Sequence, residues 1–392
     1  MAAKIDRRSM ADLWVGHLAA DLASGALPAV LVFLKPLLHL SYTKTGAVVL
    51  AATVTSSIAQ PLFGHWSDRH ATTWLLPVGI TASALGTSFS PLAHNYVVLL
   101  VLVSISGLGV GLFHPEAMKL ARHVSGERRA SGMAVFQTGG NLGIALGPLL
   151  AGVALAAIGS KGGFVFLIPG GLAIALLLRD FGPLSHARRT GHESIRRHGT
   201  EDQPGLFKLL LVAIGFRSVA YYGLFTFVPL WEVSQGHSKS YGTALLSCVL
   251  FGGAFGTLCA GPLADRYGGK IVLVVSLALT PPLVLIFVLA GGVLSAIAVT
   301  VAGAMIVSGF GLTTVMGQEY LPSRLAMASG MTVGLAMGLG GIAAVLLGVV
   351  ADAVDLRVAL LITAAAPILG ALAALYLPRE PVAPVRPAPA PA

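Results

Sequence analysis

Residues 107–152 read GLGVGLFHPEAMKLARHVSGERRASGMAVFQTGGNLGIALGPLLAG. A glycine-rich apolar helix runs into His114, Pro115 and Glu116, and a short basic turn follows. A second apolar helix then carries Gln137, Asn141 and the run Gly143-x3-Gly147-Pro148-x3-Gly152. Ionisable groups at the end of an apolar helix are costly unless they line a wet cavity or meet partners. Regularly spaced glycines let helix backbones approach closely, which is how helices associate in lipid. The stretch therefore reads as a polar path through a membrane bundle.

The rest of the chain agrees. Of its 392 residues, 55% are hydrophobic and 10% charged, against about 25% charged in a soluble domain. Apolar runs of roughly 18–25 residues recur, each long enough to span a bilayer as a helix. The expected fold class is an all-α polytopic membrane protein with twelve transmembrane helices in two pseudo-symmetric six-helix bundles. The helices are expected near 12–36, 45–66, 74–92, 96–120, 129–157, 163–180, 207–232, 240–263, 270–290, 294–319, 327–350 and 356–377. Residues 1–180 then form the N-terminal bundle and 206–378 the C-terminal one. A His/Arg-rich cytoplasmic linker falls at 181–205 and a Pro/Ala-rich tail at 379–392.

The net charge of +9 has two readings, nucleic-acid binding or orientation in a membrane. With a cytoplasmic N-terminus and alternating spans, nineteen of the 25 Lys and Arg fall on the cytoplasmic side. Four fall outside, and Lys35 and Arg217 lie within helices. That asymmetry is the positive-inside rule, so nucleic acid is not an expected partner. Both termini are expected to be cytoplasmic, with the protein in the cell (inner) membrane. Cys248 and Cys259 share one expected helix, three turns apart at about 1.5 Å per residue, too far for a disulfide. The first apolar run is long and lacks a small-residue cleavage site, so it is expected to remain as a transmembrane helix.

The halves repeat. Gly64-x3-Asp68-Arg69 returns as Gly261-x3-Asp265-Arg266, 197 positions on. Ser131-Gly132-Met133 returns at 329–331, and Gly107-x-Gly109 at 309–311. Duplicated halves with a midplane site between them are a transporter pattern. The loop Gly261-x3-Asp265-Arg266-x-Gly268-x-Lys270 resembles the signature loop of the major facilitator superfamily; the first-half copy is degraded at His70, Ala71 and Thr72. Its Gly, Asp and Arg are expected to latch neighbouring helix ends in one state.

Within that superfamily the chain resembles the fosmidomycin resistance protein family. The resemblance rests on His17-x3-Asp21, on Ser56-Ser57-x2-Gln60-Pro61-x2-Gly64 and on Phe113-His114-Pro115-Glu116. It continues through Phe136-Gln137-x-Gly139-Gly140-Asn141-x-Gly143-x3-Gly147-Pro148, Gln318-Glu319-x-Leu321-Pro322-x-Arg324 and Gly348-x2-Ala351-Asp352. It implies a proton-driven exporter that confers tolerance to a small phosphonate antibiotic, and so drug efflux and antibiotic resistance. One departure matters. The superfamily pattern places an arginine four residues before the first glycine of helix four, where this chain has Val103. Carboxylates and histidines must then carry the proton.

His17 and Asp21, four apart, share a helix face. Burial favours a neutral carboxylate and a nearby cation favours the charged one, a balance suited to loading and releasing a proton. His114, Glu116 and Glu319 complete the expected proton set; the i, i+2 spacing points His114 and Glu116 to different sides of their helix. Arg217 lies mid-helix and needs an anion, which either a substrate or an internal carboxylate such as Asp21 would supply. Gln137, Asn141, Tyr221 and Gln318 are further expected substrate contacts. Gly143, Gly147, Pro148 and Gly152 are expected to pack closely against the second half as it rocks.

Enzyme readings fail: there is no Gly-x-Ser-x-Gly elbow and no Gly-x4-Gly-Lys-[Ser/Thr] phosphate loop. The expectation is a proton-coupled antiporter exporting small anionic or amphipathic compounds by alternating access. It would be monomeric, with no cofactor and no metal, its partners being substrate, protons and the bilayer. An importer or facilitator of a metabolite anion and a non-transporting receptor are the alternatives.

Overall fold

In hydrocarbon a backbone must satisfy its own hydrogen bonds, so each apolar run becomes a helix. The structure, a computed structural model, describes residues 6–70, 72–125, 129–182, 202–321 and 325–378. Within them the first half contains α1 (Arg7–Leu37), α2 (Tyr42–Arg69), α3 (Leu75–Phe89), α4 (Tyr96–Val124), α5 (Arg129–Ile158) and α6 (Leu167–Arg179). The second contains α7 (Pro204–Ser234), α8 (Lys239–Tyr267), α9 (Gly269–Ala290), α10 (Gly292–Tyr320), α11 (Leu325–Ala353) and α12 (Leu356–Leu375). Eleven continuous stretches are long and apolar enough to cross a membrane; one, Val135–Arg179, holds two helices joined by the 3-10 segment Gly159–Phe166. The expected linker, apart from 181–182 and 202–205, and the tail lie outside the described residues.

The helices start where polar side chains cap orphan amides. Asp6 accepts from the amides of Arg8 and Ser9 ahead of α1, Ser41 from Lys44 ahead of α2, and Asp355 from Val358 ahead of α12. Packing repeats between the halves: α1 on α5 is matched by α7 on α11, α2 on α4 by α8 on α10, and α3 on α6 by α9 on α12. The halves meet mainly through α2 against α11 and α5 against α8.

One end of the bundle carries the ends of α1, α6, α7 and α12 nearest the chain termini and linker; we call it the basic end. There α1 is tied to α6. Arg8 Nε donates to Asp180 Oδ2 at 2.8 Å, and Arg179 bridges Asp180 and Asp12 at 2.9 and 3.3 Å. The hydrogen bonds from Arg8 hold the Asp180 carboxyl well below the usual carboxylate range. A depressed carboxylate stabilises above its unfolded pKa of about 3.9, so the Arg8–Asp180 bond persists at neutral pH and is lost only on strong acidification.

The glycine strip of α5 is a correction. A Cβ on Gly143 or Gly147 would run into the backbone of α1 at Leu18 or Leu22, inside the same half; Gly152 alone of the three faces the second half, at Thr243 of α8. Gly152 is nine residues from Gly143, two and a half turns at about 3.6 residues per turn, so it lies on the opposite face. Gly143 and Gly147, with Pro148 inside the helix, therefore hold α1 to α5, and of the three glycines only Gly152 sits at the seam between the halves.

Candidate functional site

The α1–α5 glycine packing leaves room for a polar cluster in an apolar surround. His17 and Asp21 stand one turn apart on α1, and α4 brings in His114. His17 Nε2 lies 3.3 Å from Asp21 Oδ2, and His114 Nε2 lies 3.3 Å from Asp21 Oδ1. His17 is 1% exposed, while Asp21 and His114 keep 16% and 17% of their side-chain surface, so the carboxylate is enclosed without being fully covered. The His17 ring stacks on Phe136 of α5 at 4.2 Å and meets His114 edge-on at 5.0 Å.

The other ring nitrogens are fixed by the backbone. His17 Nδ1 is 2.9 Å from the Phe136 carbonyl, and His114 Nδ1 is 2.9 Å from the Val110 carbonyl. A carbonyl oxygen only accepts, so each Nδ1 donates and each Nε2 faces the shared carboxylate. Each nitrogen-to-oxygen gap needs one proton to be a hydrogen bond. The trio therefore carries −1, 0 or +1 as it holds zero, one or two protons across those gaps. Its ligand-capable atoms lie within 4.8 Å of one another, a spacing compatible with a metal ion as well as with protons shared between the two rings and the carboxylate.

Gly140 makes the cluster possible. A Cβ there would enter the space of His17 Nε2 and Asp21 Oδ2. Its place in Gly139-Gly140-Asn141 was visible in the sequence, but nothing in that spacing tells that Gly139 meets α1 at Trp14 while Gly140 meets it at the trio.

Glu116 is not part of the trio. It is fully buried, its Oε2 accepting from Ser67 Oγ and from Thr72 Oγ1 at 2.9 Å. Lys119 Nζ donates to the Ser67 carbonyl at 2.6 Å. The carboxylate thus ties α4 to the end of α2, on the face away from His114, as the i, i+2 spacing requires. Glu116→Gln is expected to lower stability by about 1–3 kcal/mol and to leave transport in place; thermal unfolding beside a flux assay checks this. Glu319 is exposed on α10, unlike the enclosed trio. The side chains of Gln318, Asp68, Arg69 and Asp265 lie outside the described residues. Of the remaining expected latch, Gly64 faces Pro115 of α4, Gly261 has open space, and Arg266 is exposed with its guanidinium over Tyr267.

One turn beyond the trio opens a cavity of ≈ 80 Å³ between the halves. The first half lines it with hydroxyls, among them Ser24, Thr53, Ser56 and Ser106; the second lines it with Tyr221, Tyr222 and Phe225. Val103, at the position of the missing arginine, also lines it. Tyr221 is the one expected substrate contact among these described residues. Gln137 is exposed and Asn141 half-buried on α5, outside the lining. Arg217 is 1% exposed and sits behind the aromatic wall. Its guanidinium lies 3.9 Å from the Phe310 ring centre, and that ring meets Tyr221 at 5.2 Å. None of its guanidinium nitrogens has a hydrogen-bond partner among the described residues. A permanent internal salt bridge is thus absent there in this state.

The far end of the seam is closed. Asp352, at the end of α11, accepts from the amides of Tyr42 and Thr43 at 2.7 Å each. A Cβ on Gly46 or Gly348 would strike the partner helix's backbone. Toward the basic end, Gln60 Nε2 to Met337 Sδ at 3.5 Å is the last hydrogen bond between the halves among the described residues.

This arrangement has known counterparts. The Major Facilitator Superfamily profile matches residues 13–344. The chain is 32% identical to the uncharacterised MFS-type transporter YfnC of Bacillus subtilis (strain 168) over 374 residues, covering 92% of this chain and 90% of that protein. It is 30% identical to the fosmidomycin resistance protein of Escherichia coli (strain K12) over 372 residues, 93% and 91% of the two chains. In fold it matches a crystal structure of the nucleoside transporter NupG with a TM-score of 0.77 at 12% identity, covering 94% of this chain and 99% of that one. A bacterial homologue of the lysosomal transporter Spinster matches at 0.75 and 16% identity, covering 93% and 95%. The repeated halves of the described residues, with a buried polar cluster beside a central cavity, thus accompany similarity along nearly the whole sequence: the chain belongs to the fosmidomycin resistance protein family of the Major Facilitator Superfamily.

Proposed function

We propose that this transporter is a proton-coupled exporter of small anionic or amphipathic compounds, a phosphonate antibiotic of the fosmidomycin type among them, working by alternating access. The observation that carries the reading is the His17–Asp21–His114 trio. Its backbone-anchored imidazoles leave two proton positions around one carboxylate, so its charge changes with loading. A charge change inside an apolar bundle alters which closed arrangement of the halves is favoured. The basic end is taken as cytoplasmic by the positive-inside rule, in the inner membrane with both termini inside. The far-end seal is then the state that receives substrate from the cytoplasm.

In the cavity, Tyr221, Tyr222 and Phe225 offer an apolar wall and the first-half hydroxyls offer hydrogen bonds, which suits an amphipathic compound. Arg217 supplies the second half's positive charge, and a movement of Phe310 or Tyr221 would expose it to an anionic group. Gln137, Asn141 and Gln318 remain candidates for later states of the cycle. No cofactor or second subunit is required.

Cells expressing the chain are expected to retain less labelled fosmidomycin than cells without it, and a protonophore is expected to abolish the difference. Greater retention in the expressing cells would mean import. A difference that survives the protonophore would separate export from protons.

A further inference from the structure

We infer that Asp352 is the positioning residue of the outer gate: its carboxylate, carried by the second half, caps the first half's α2 and so holds the far side of the transporter shut. The inference rests on the alternating-access reading above and adds to it a residue that the proton site does not involve.

A helix begins with backbone N–H groups that have no partner in the helix itself, and the aligned peptide dipoles make that end attractive to an anion. At α2 the Ser41 side chain takes the Lys44 amide. The amides of Tyr42 and Thr43 are taken by Asp352, one by each oxygen, at 2.7 Å. The partners are 310 and 309 positions apart in sequence, on opposite halves. Charge-assisted bonds to a carboxylate are stronger than neutral ones, and these two tie one half to the other at that end.

Two features bring the groups together. Gly46 on α2 and Gly348 on α11 have no side chain, so the helices cross with backbones in contact and the end of α11 lands on the start of α2. Two cations stand at the same end: Lys35, whose ammonium lies 4.1 Å from the Tyr42 ring centre, and Lys239, 5.0 Å from the Phe33 ring centre. Both join segments at the far ends of α1, α2 and α8, and Lys35 also attracts Asp352.

Opening the far side must pull α2 from α11. That separates the carboxylate from both amides and leaves each to water. The seal therefore favours the far-side-closed state and has to be broken once in each cycle. Asp352 is exposed, so water can replace the bonds at once, and the gate is a bias rather than a lock.

The test is far-side accessibility. In a Cys248→Ser, Cys259→Ser background, Leu27→Cys places one thiol on the cavity wall, and right-side-out vesicles are treated with a membrane-impermeant maleimide. Asp352→Ala is expected to raise the labelling rate at least about tenfold, the factor given by about 1.4 kcal/mol of lost closure. Asp352→Asn, which keeps one acceptor oxygen, is expected to fall between. Tyr42→Pro removes one amide at the first helical position, where proline is tolerated, and is expected to act in the same direction. Unfolding curves identify any variant that labels merely because it is misfolded. Unchanged or slower labelling in folded Asp352→Ala overturns the inference. The readout uses no pH gradient, so that failure leaves proton coupling standing, and a failure of proton coupling leaves the gate standing.

Discussion

Asp21→Asn is expected to abolish net efflux driven by a pH gradient while leaving substrate exchange across the membrane in place. The reason lies in the hydrogen-bond inventory of the trio. With both Nδ1 atoms committed to the Phe136 and Val110 carbonyls, the two Nε2 atoms look to position 21. Asparagine presents one oxygen acceptor and one NH2 donor. With both imidazoles neutral, one accepts from the NH2 while the other faces the amide oxygen with no proton between them, so the variant sits at zero charge without having taken up a proton. It thus imitates a trio holding one proton and has lost the carboxylate whose −1 state loads from the gradient. Shape is preserved, so stability is expected to stay within about 1 kcal/mol of the parent. Full gradient-driven efflux in Asp21→Asn would remove this carboxylate from the mechanism.

The second large effect is expected from a residue with no chemistry of its own. Gly140→Ala adds one methyl group where His17 Nε2 and Asp21 Oδ2 already stand. Neither can yield easily. His17 is stacked on Phe136 and anchored through Nδ1, and Asp21 is held between two rings. Overpacking of this kind costs about 1–3 kcal/mol, and here relief comes only by breaking the trio. The variant is expected to lose gradient-driven transport as completely as Asp21→Asn, with a lowered unfolding temperature in addition. Gly334→Ala is the control. Its Cβ meets nothing within 4 Å, and replacing a helical glycine there is worth up to about 1 kcal/mol of added helix stability. Equal losses from both substitutions would show that the effect belongs to helix flexibility and not to the cluster.

The membrane fold was legible because lipid imposes one rule on every span, and the apolar runs followed it. Their ends were less so. α1 extends back to Arg7 because Asp6 caps it, and α6 begins only at Leu167 because Gly159–Phe166 forms a 3-10 turn first. The pairing of His17 with Asp21 follows from spacing along one helix. The addition of His114 depends on how α4 is rotated against α1, which spacing within either helix does not fix. Glu116 shows the same limit from the other side: two hydroxyls contributed from the end of α2 and the following turn gave it a different partner set. Arg217 was legible as a buried cation, yet its aromatic neighbour Phe310 lies on another helix, 93 positions away. The outer seal was hidden for a further reason. Asp352 at a helix end looks like any solvated charge until α2 is placed beneath it.

The most direct measurement is net movement of labelled fosmidomycin in proteoliposomes of fixed orientation, with equal substrate on both sides and only the pH differing. If protons and substrate use the two faces of the transporter in turn, substrate moves toward the more acidic compartment. Reversing the pH difference then reverses the flow, and Asp21→Asn shows neither flow. A flux with the same direction and size under both gradients, or none under either, would contradict it.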